Sequence, residues 1–156
     1  MSARRTPLYE RHERAGAKIV DFAGWEMPIQ YPTGIVEEHL ATRAGCGLFD
    51  VSHMGRFSVR GRQAAAFLDA ALSNDAMSLA VGRAQYTLIP TESGGALDDA
   101  FLYRLSAEEY LLVVNAGNRE RDWERLSGDA ASFPGVMLED RSEALAMISV
   151  QGPRSP

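Results

Sequence analysis

From Gly55 onward, segments with strand-like and helix-like hydrophobic patterns follow one another at short intervals. Phe57 and Val59 alternate with Ser58 and Arg60, which predicts a strand. The later segments predict a helix, three strands, a helix and a strand: 64–72, 85–90, 97–105, 110–115, 118–126 and 136–138. This order predicts an α+β domain in which helices cover one face of an antiparallel sheet, related to the split βαβ or ferredoxin-like plan.

The first 33 residues show weak periodicity and frequent Gly and Pro, which predicts a short helix at 8–15 followed by extended, turn-rich chain. A helix is predicted from an N-cap at Thr33 to Ala44, with Ile35, Val36 and Leu40 on one stripe. A further strand is predicted at 144–150. We expect domain boundaries near residues 54–55 and 140–141, where the chain enters and leaves the predicted sheet domain.

Composition narrows the class of protein. Of 156 residues, 46% are hydrophobic and 24% are charged, as in an ordinary soluble domain, and the net charge of −5 argues against a nucleic-acid partner. The single cysteine, Cys46, excludes an internal disulfide and a cysteine-rich zinc site. The single lysine, Lys18, lies outside any P-loop pattern, which argues against P-loop and Schiff-base enzymes.

No apolar run is long enough to cross a bilayer, and residues 1–14 show no secretory signal.

Two adjacent acids interrupt the otherwise apolar strand 97–105. Because side chains alternate along a strand, Asp99 shares a face with Phe101 and Tyr103, whereas Asp98 points the other way. A carboxylate among aromatic rings is costly without a partner, so we expect Asp99 to be paired, protonated or exposed in a pocket. The alternative, an edge strand with both acids hydrated near the turn, has equal support from the residues alone.

Tyr86 lies on the preceding strand of the same predicted hairpin. Pairing around the turn at 93–95 brings it near Phe101 and into the neighbourhood of Asp99, although an aromatic core position is the commoner role for a single tyrosine. The residues therefore predict a pocket on one sheet face, lined by Tyr86, Asp99, Phe101 and Tyr103. This pattern does not name a substrate.

Two further residues have structural interpretations beside functional ones. Asn115 ends a strand and precedes a helix, so it is either an N-cap or a ligand-binding polar group. Met54 follows a turn and is more typical of a core gap-filler than of a ligand contact.

The chain resembles the glycine cleavage system T-protein family, the aminomethyltransferases, in segments that occur in the family's order and at similar spacing. These segments are 8–12 (LYERH), 16–31 (GAKIVDFAGWEMPIQY), 47–54 (GLFDVSHM), 94–99 (GGALDD), 113–116 (VVNA) and 149–153 (SVQGP). The resemblance covers nearly the whole chain. It implies that the protein transfers an aminomethyl carbon from the lipoylated H protein to tetrahydrofolate, with release of ammonia.

The resemblance also implies the roles of particular residues. Asp99 matches the family's essential aspartate and is the expected catalytic group, since a carboxylate can assist proton transfer. The expected folate-binding residues are Met54, Tyr86, Asp99, Tyr103 and Asn115. A pterin suits a site with aromatic walls and a few polar groups. We expect a cytoplasmic protein that uses tetrahydrofolate as co-substrate, with no metal, nucleic acid or membrane partner.

Members of this family are considerably longer than 156 residues. The resemblance therefore implies that 1–54 is the N-terminal part of an incomplete first folate-binding domain, 55–140 a middle domain and 141–156 a strand returning to the first domain. The C-terminal β-barrel domain is then absent. We expect little activity from this chain, and self-association through apolar residues left without partners: Tyr9, Phe22, Trp25, Tyr31 and the strand 144–150.

Two rival assignments remain open: a related folate-dependent demethylase, and a non-catalytic folate-binding protein of iron–sulfur assembly. The motif that runs through Tyr31 favours the T-protein family over both.

Overall fold

The computed structural model describes residues 3–156, which form two compact units. The first unit runs to His53 and includes Leu145–Pro156, and the second comprises Met54–Ala144. The helices of these residues are α1 (Tyr9–Arg14), α2 (Ile35–Ala44), α3 (Ala64–Ala71) and α4 (Arg119–Ala130). The strands are β1 (Arg4–Arg5), β2 (Lys18–Phe22), β3 (Trp25–Gln30), β4 (Gly47–Asp50), β5 (Gly55–Arg60), β6 (Ala84–Pro90), β7 (Ala96–Ser106), β8 (Glu109–Val114), β9 (Met137–Asp140) and β10 (Ile148–Gln151). The domain boundaries predicted from the sequence stay a prediction.

The first unit contains two small sheets. In one, β3 lies between β1, its parallel neighbour, and β2, its antiparallel neighbour; in the other, β4 pairs antiparallel with β10. The predicted strand 144–150 begins only at Ile148, because a hydrogen bond from the Ala144 N–H to the Arg141 carbonyl (3.0 Å) closes a turn at the start of that segment.

Helix α2 differs from its prediction at its start and on its surface. Its N-cap is Gly34 and not Thr33, because Gly34 has a φ of 86°, which glycine adopts without strain, and the helix begins one residue later. No side chain of α2 is buried, so the predicted apolar stripe is exposed. None of the helices between residues 3 and 156 combines the length and the apolar character needed to cross a membrane.

The aromatic residues of the first unit are not all left without partners. Tyr9 and Trp25 are buried, and the Tyr9 hydroxyl donates to Glu13 at 2.9 Å. The expectation that Tyr9 and Trp25 lack packing partners is therefore wrong. Phe22 and Val36 are exposed, so self-association stays a prediction that sedimentation velocity at increasing concentration can test.

The second unit confirms the α+β prediction. Its sheet has the order β6-β7-β8-β5-β9, and every neighbouring pair is antiparallel. The order β7-β8-β5-β9 is that of a ferredoxin-like sheet, to which β6 adds an edge strand. Helices α3 and α4 contribute to one core on a single face of the sheet, whose fully buried members include Phe57, Val59, Phe67, Leu68, Leu102, Leu112 and Leu126.

Helix α4 is longer than predicted at its C-terminal end. It continues to Ala130, whereas the sequence predicts a helix over 118–126 that ends near Gly128. An ion pair between Arg125 and Asp129, four residues apart, spans the glycine and stabilises the last turn.

Candidate functional site

The two adjacent aspartates of β7 have opposite environments. Asp98 is 8% exposed and lies with Ala100 and Leu102 on the face that the helices cover. Asp99 is exposed and lies on the other face with Phe101. The alternation predicted from the sequence is confirmed, and the Asp99 carboxylate is open to solvent.

A row of aromatic rings lies on the same face as Asp99. Tyr86 of β6 is the direct cross-strand partner of Phe101, and their ring centroids are 4.6 Å apart in an edge-to-face arrangement. Tyr103 continues the row at 5.0 Å from Phe101, and burial followed by the charge of Tyr86 raises the pKa of Tyr103. Since Tyr86 is 72% exposed, a core role for it is wrong. The row is a surface suited to contact with a flat ring.

Strand register brings three predicted site residues to one end of the sheet. Ala100 of β7, Val114 of β8 and Gly55 of β5 are in register across three neighbouring strands. Each of these three residues has a predicted site residue as its neighbour in the chain: Asp99 precedes Ala100, Asn115 follows Val114, and Met54 precedes Gly55. Met54 is half-buried, and its backbone carbonyl accepts a hydrogen bond from the Arg56 guanidinium.

The Asn115 amide links the two aspartates. Its Nδ2 donates to Asp98 Oδ1 and to Asp99 Oδ1, both at 2.9 Å. Helix α4 has its N-cap at Asn118, so the N-cap interpretation of Asn115 is wrong. A turn closed by the Asn118 N–H and the Asn115 carbonyl (3.2 Å) separates Asn115 from the helix, and its side chain turns to β7 instead. Asn115 is therefore placed to orient the Asp99 carboxylate.

The structure adds one residue that the sequence reasoning missed. Asp122 of α4 is 0% exposed and lies against Asp98. Burial first, and then the hydrogen bond and negative charge of Asp98, raise the pKa of Asp122 to about 7. Although burial opposes it, hydrogen bonds from Asn115 and Asp122 lower the pKa of Asp98.

A signal for Asp122 is present in the sequence. Helix α4 is rich in charged residues, and such a segment is typical of a solvated face. However, Asp122 precedes Leu126 by four residues and adjoins Trp123, and helical spacing places these three on one side of α4. The position of Asp122 on the apolar stripe could therefore have been predicted.

The arrangement suits a flat ligand that carries N–H groups. The hydrogen bond from Asn115 uses Oδ1 of Asp99, which leaves Oδ2 of this exposed carboxylate open to a ligand. Asp99 can therefore accept a proton or a hydrogen bond from a ligand that packs on the rings of Tyr86, Phe101 and Tyr103.

Comparisons with known proteins agree with one another. The family model described as the GCVT N-terminal domain matches residues 8–156. Aminomethyltransferases of Thermus thermophilus and Prosthecochloris aestuarii are 57% and 51% identical to 97% of this chain. The crystal structure of glycine cleavage system aminomethyltransferase T from Bartonella henselae matches 98% of the chain with a TM-score of 0.91 and 43% identity. The chain spans 43%, 42% and 42% of the lengths of these three proteins, respectively.

Proposed function

The chain belongs to the GCVT N-terminal domain family, and from that premise we propose that it serves aminomethyl transfer in the glycine cleavage system. The donor is the aminomethyl group carried by the lipoylated H protein, and the acceptor is tetrahydrofolate. Two bonds form between the carbon and folate nitrogens, while the C–S and C–NH2 bonds break. The two folate N–H protons end on the thiol and on ammonia, so the transfer is balanced. We assign the protein to the cytoplasm.

One observation carries the proposal: an exposed carboxylate, oriented by an amide, lies beside a row of aromatic rings on the same sheet face. Asp99 can accept a proton as a folate nitrogen attacks the aminomethyl carbon. The rings can hold the pterin, and Asn115 keeps one carboxylate oxygen engaged so that the other faces the ligand. This set matches the residues that the family resemblance implies.

The direct test supplies the protein with aminomethylated H protein and tetrahydrofolate, and measures methylenetetrahydrofolate and ammonia. We expect both products in equal amounts, formed at the low rate that the expected low activity of this chain implies. Transfer from an N-methylated amine without any from the H protein would instead indicate a demethylase. Saturable folate binding with no transfer from either donor would indicate a non-catalytic folate-binding protein.

We expect Tyr86→Ala to weaken tetrahydrofolate binding by about tenfold, equivalent to the ~1.4 kcal/mol that one stacking ring contributes. Because Tyr86 is mostly exposed, the melting temperature should change little. Binding is measured from NMR chemical-shift changes during titration, which report weak affinities as well as strong ones.

The matched control is Phe22→Ala, which removes an exposed ring from the first unit. It should leave the dissociation constant unchanged. Equal affinities for the unsubstituted chain and Tyr86→Ala would remove Tyr86 from the binding surface.

A further inference from the structure

A pair of carboxyl groups lies beneath the candidate site, between β7 and α4. Asp122 is fully buried, and Asp98 is nearly so. Among residues 3–156, no N–H group donates to either oxygen of Asp122, whereas the side chains of Asn115 and Asn118 form hydrogen bonds with Asp98. Two ionised carboxylates in such a setting repel each other and lose their hydration, so one of them must be neutral.

The contacts identify which carboxyl group is neutral. Asp98 accepts a hydrogen bond from Asn115 on Oδ1, and this bond favours its ionised form. Asp122 has no comparable donor, and the hydrogen in its contact with Asp98 can only be a carboxyl proton. The proton therefore belongs on Asp122, and Asp98 is its acceptor.

We propose that Asp122 is a positioning residue: it holds a proton below neutral pH, shares it with Asp98, and thereby fixes Asp98 as the group that orients Asn115 toward Asp99. The connection runs from the buried helix face to the exposed carboxylate through three contacts. The effect of Asp122 on transfer rests on the proposed function, whereas the protonation of Asp122 does not.

The charged groups that act on the Asp122 carboxyl are Asp98, from β7, and Arg121, from its own helix. The pKa of Asp122 is about 7 in the folded protein and ordinary, near 3.8, in the unfolded chain. Between these values the folded state binds a proton that the unfolded state has lost, so the contribution of Asp122 to stability falls as pH rises toward about 7. Above that pH Asp122 is ionised in both states, and its repulsion from Asp98 is fully present.

The proton is tested by infrared spectroscopy of the chain labelled with 13C-aspartate. At about pH 6, below the value of about 7 for Asp122, we expect the C=O band of a protonated aspartate. The band should disappear in Asp122→Asn and persist in Glu124→Gln, an exposed carboxylate on the same helix. Absence of the band in the unsubstituted chain, or its persistence in folded Asp122→Asn, would overturn the proposal. If Asp122→Asn does not fold, 13C NMR titration of the unsubstituted chain tests the protonation of Asp122 instead. One aspartate must then titrate near 7, and the absence of such an aspartate would overturn the proposal.

The positioning role is tested by two substitutions with different hydrogen-bonding capacity. Asp122→Asn keeps a donor toward Asp98, whereas Asp122→Leu does not. We expect kcat for aminomethyl transfer to be about tenfold lower in Asp122→Leu than in Asp122→Asn, with a smaller difference in KM. The decline of kcat as pH rises through about 7 should be lost in Asp122→Asn. Equal kcat in the two variants would overturn the positioning role.

A further readout separates failure of this proposal from failure of the proposed function. If the unsubstituted protein transfers no aminomethyl group, the function fails, but the Asn115 side-chain amide can still be observed. Its hydrogen exchange should be at least about tenfold faster in Asp122→Leu than in the unsubstituted chain, since Asp98 no longer holds it. Unchanged exchange would show that Asp122 does not fix Asn115.

Discussion

Asp99→Asn is expected to lower the rate of aminomethyl transfer by about 100-fold or more, the usual contribution of a general acid–base group. The substitution keeps the shape of the side chain and removes the charge and the ability to take up a proton. Asp99 is exposed, and the asparagine oxygen can still accept from Asn115, so the melting temperature should change little. The measurements are turnover with aminomethylated H protein and thermal unfolding.

Two carboxylate controls make this result specific. Glu92→Gln changes an exposed acid in the hairpin loop and should leave both turnover and melting temperature unchanged. Asp98→Asn disturbs the hydrogen bond with Asn115 and the contact with Asp122, so it should lower stability and rate together. If Asp98→Asn alone abolished transfer while Asp99→Asn turned over normally, the site assignment would be wrong.

The part of the site on β6 and β7 could be predicted because it depends on local rules. A period of two decides which face Asp99 occupies, and the position of the hairpin turn decides that Tyr86 pairs with Phe101. Both rules hold despite a register shift between Ile89 and Pro90, since the shift lies on the turn side of these pairs.

The parts that could not be predicted depend on contacts between distant segments. Whether Asn115 caps a helix or bonds to β7 depends on where α4 begins, and the structure places the N-cap at Asn118. The role of Asp122 depends on the packing of α4 against the end of β7. Similarly, the stripe on α2 is amphipathic by spacing, but burial requires a partner surface, and Val36 is exposed.

The family resemblance supplied what neither local rule nor packing could supply, namely a substrate. Composition and spacing lead to an aromatic face with a carboxylate, and many ligands fit that description. The aminomethyltransferase relatives narrow it to one reaction class. Which side chains serve that reaction is our proposal from the geometry, and Asp122 is one of them.

Asn115→Ala should affect stability and rate at once, because one amide serves both aspartates. The substitution leaves Asp98 Oδ1 buried without its donor, which should lower the free energy of unfolding by about 1–3 kcal/mol. It also releases the Asp99 carboxylate from its orientation, so transfer should slow by about tenfold or more, as a misplaced catalytic group commonly does. Gln85→Ala is the matched control, since its amide donates to the Asp75 carbonyl at 3.0 Å, away from the aspartates. Gln85→Ala should keep the transfer rate, and a rate equally preserved in Asn115→Ala would mean that Asp99 does not depend on Asn115 for its orientation.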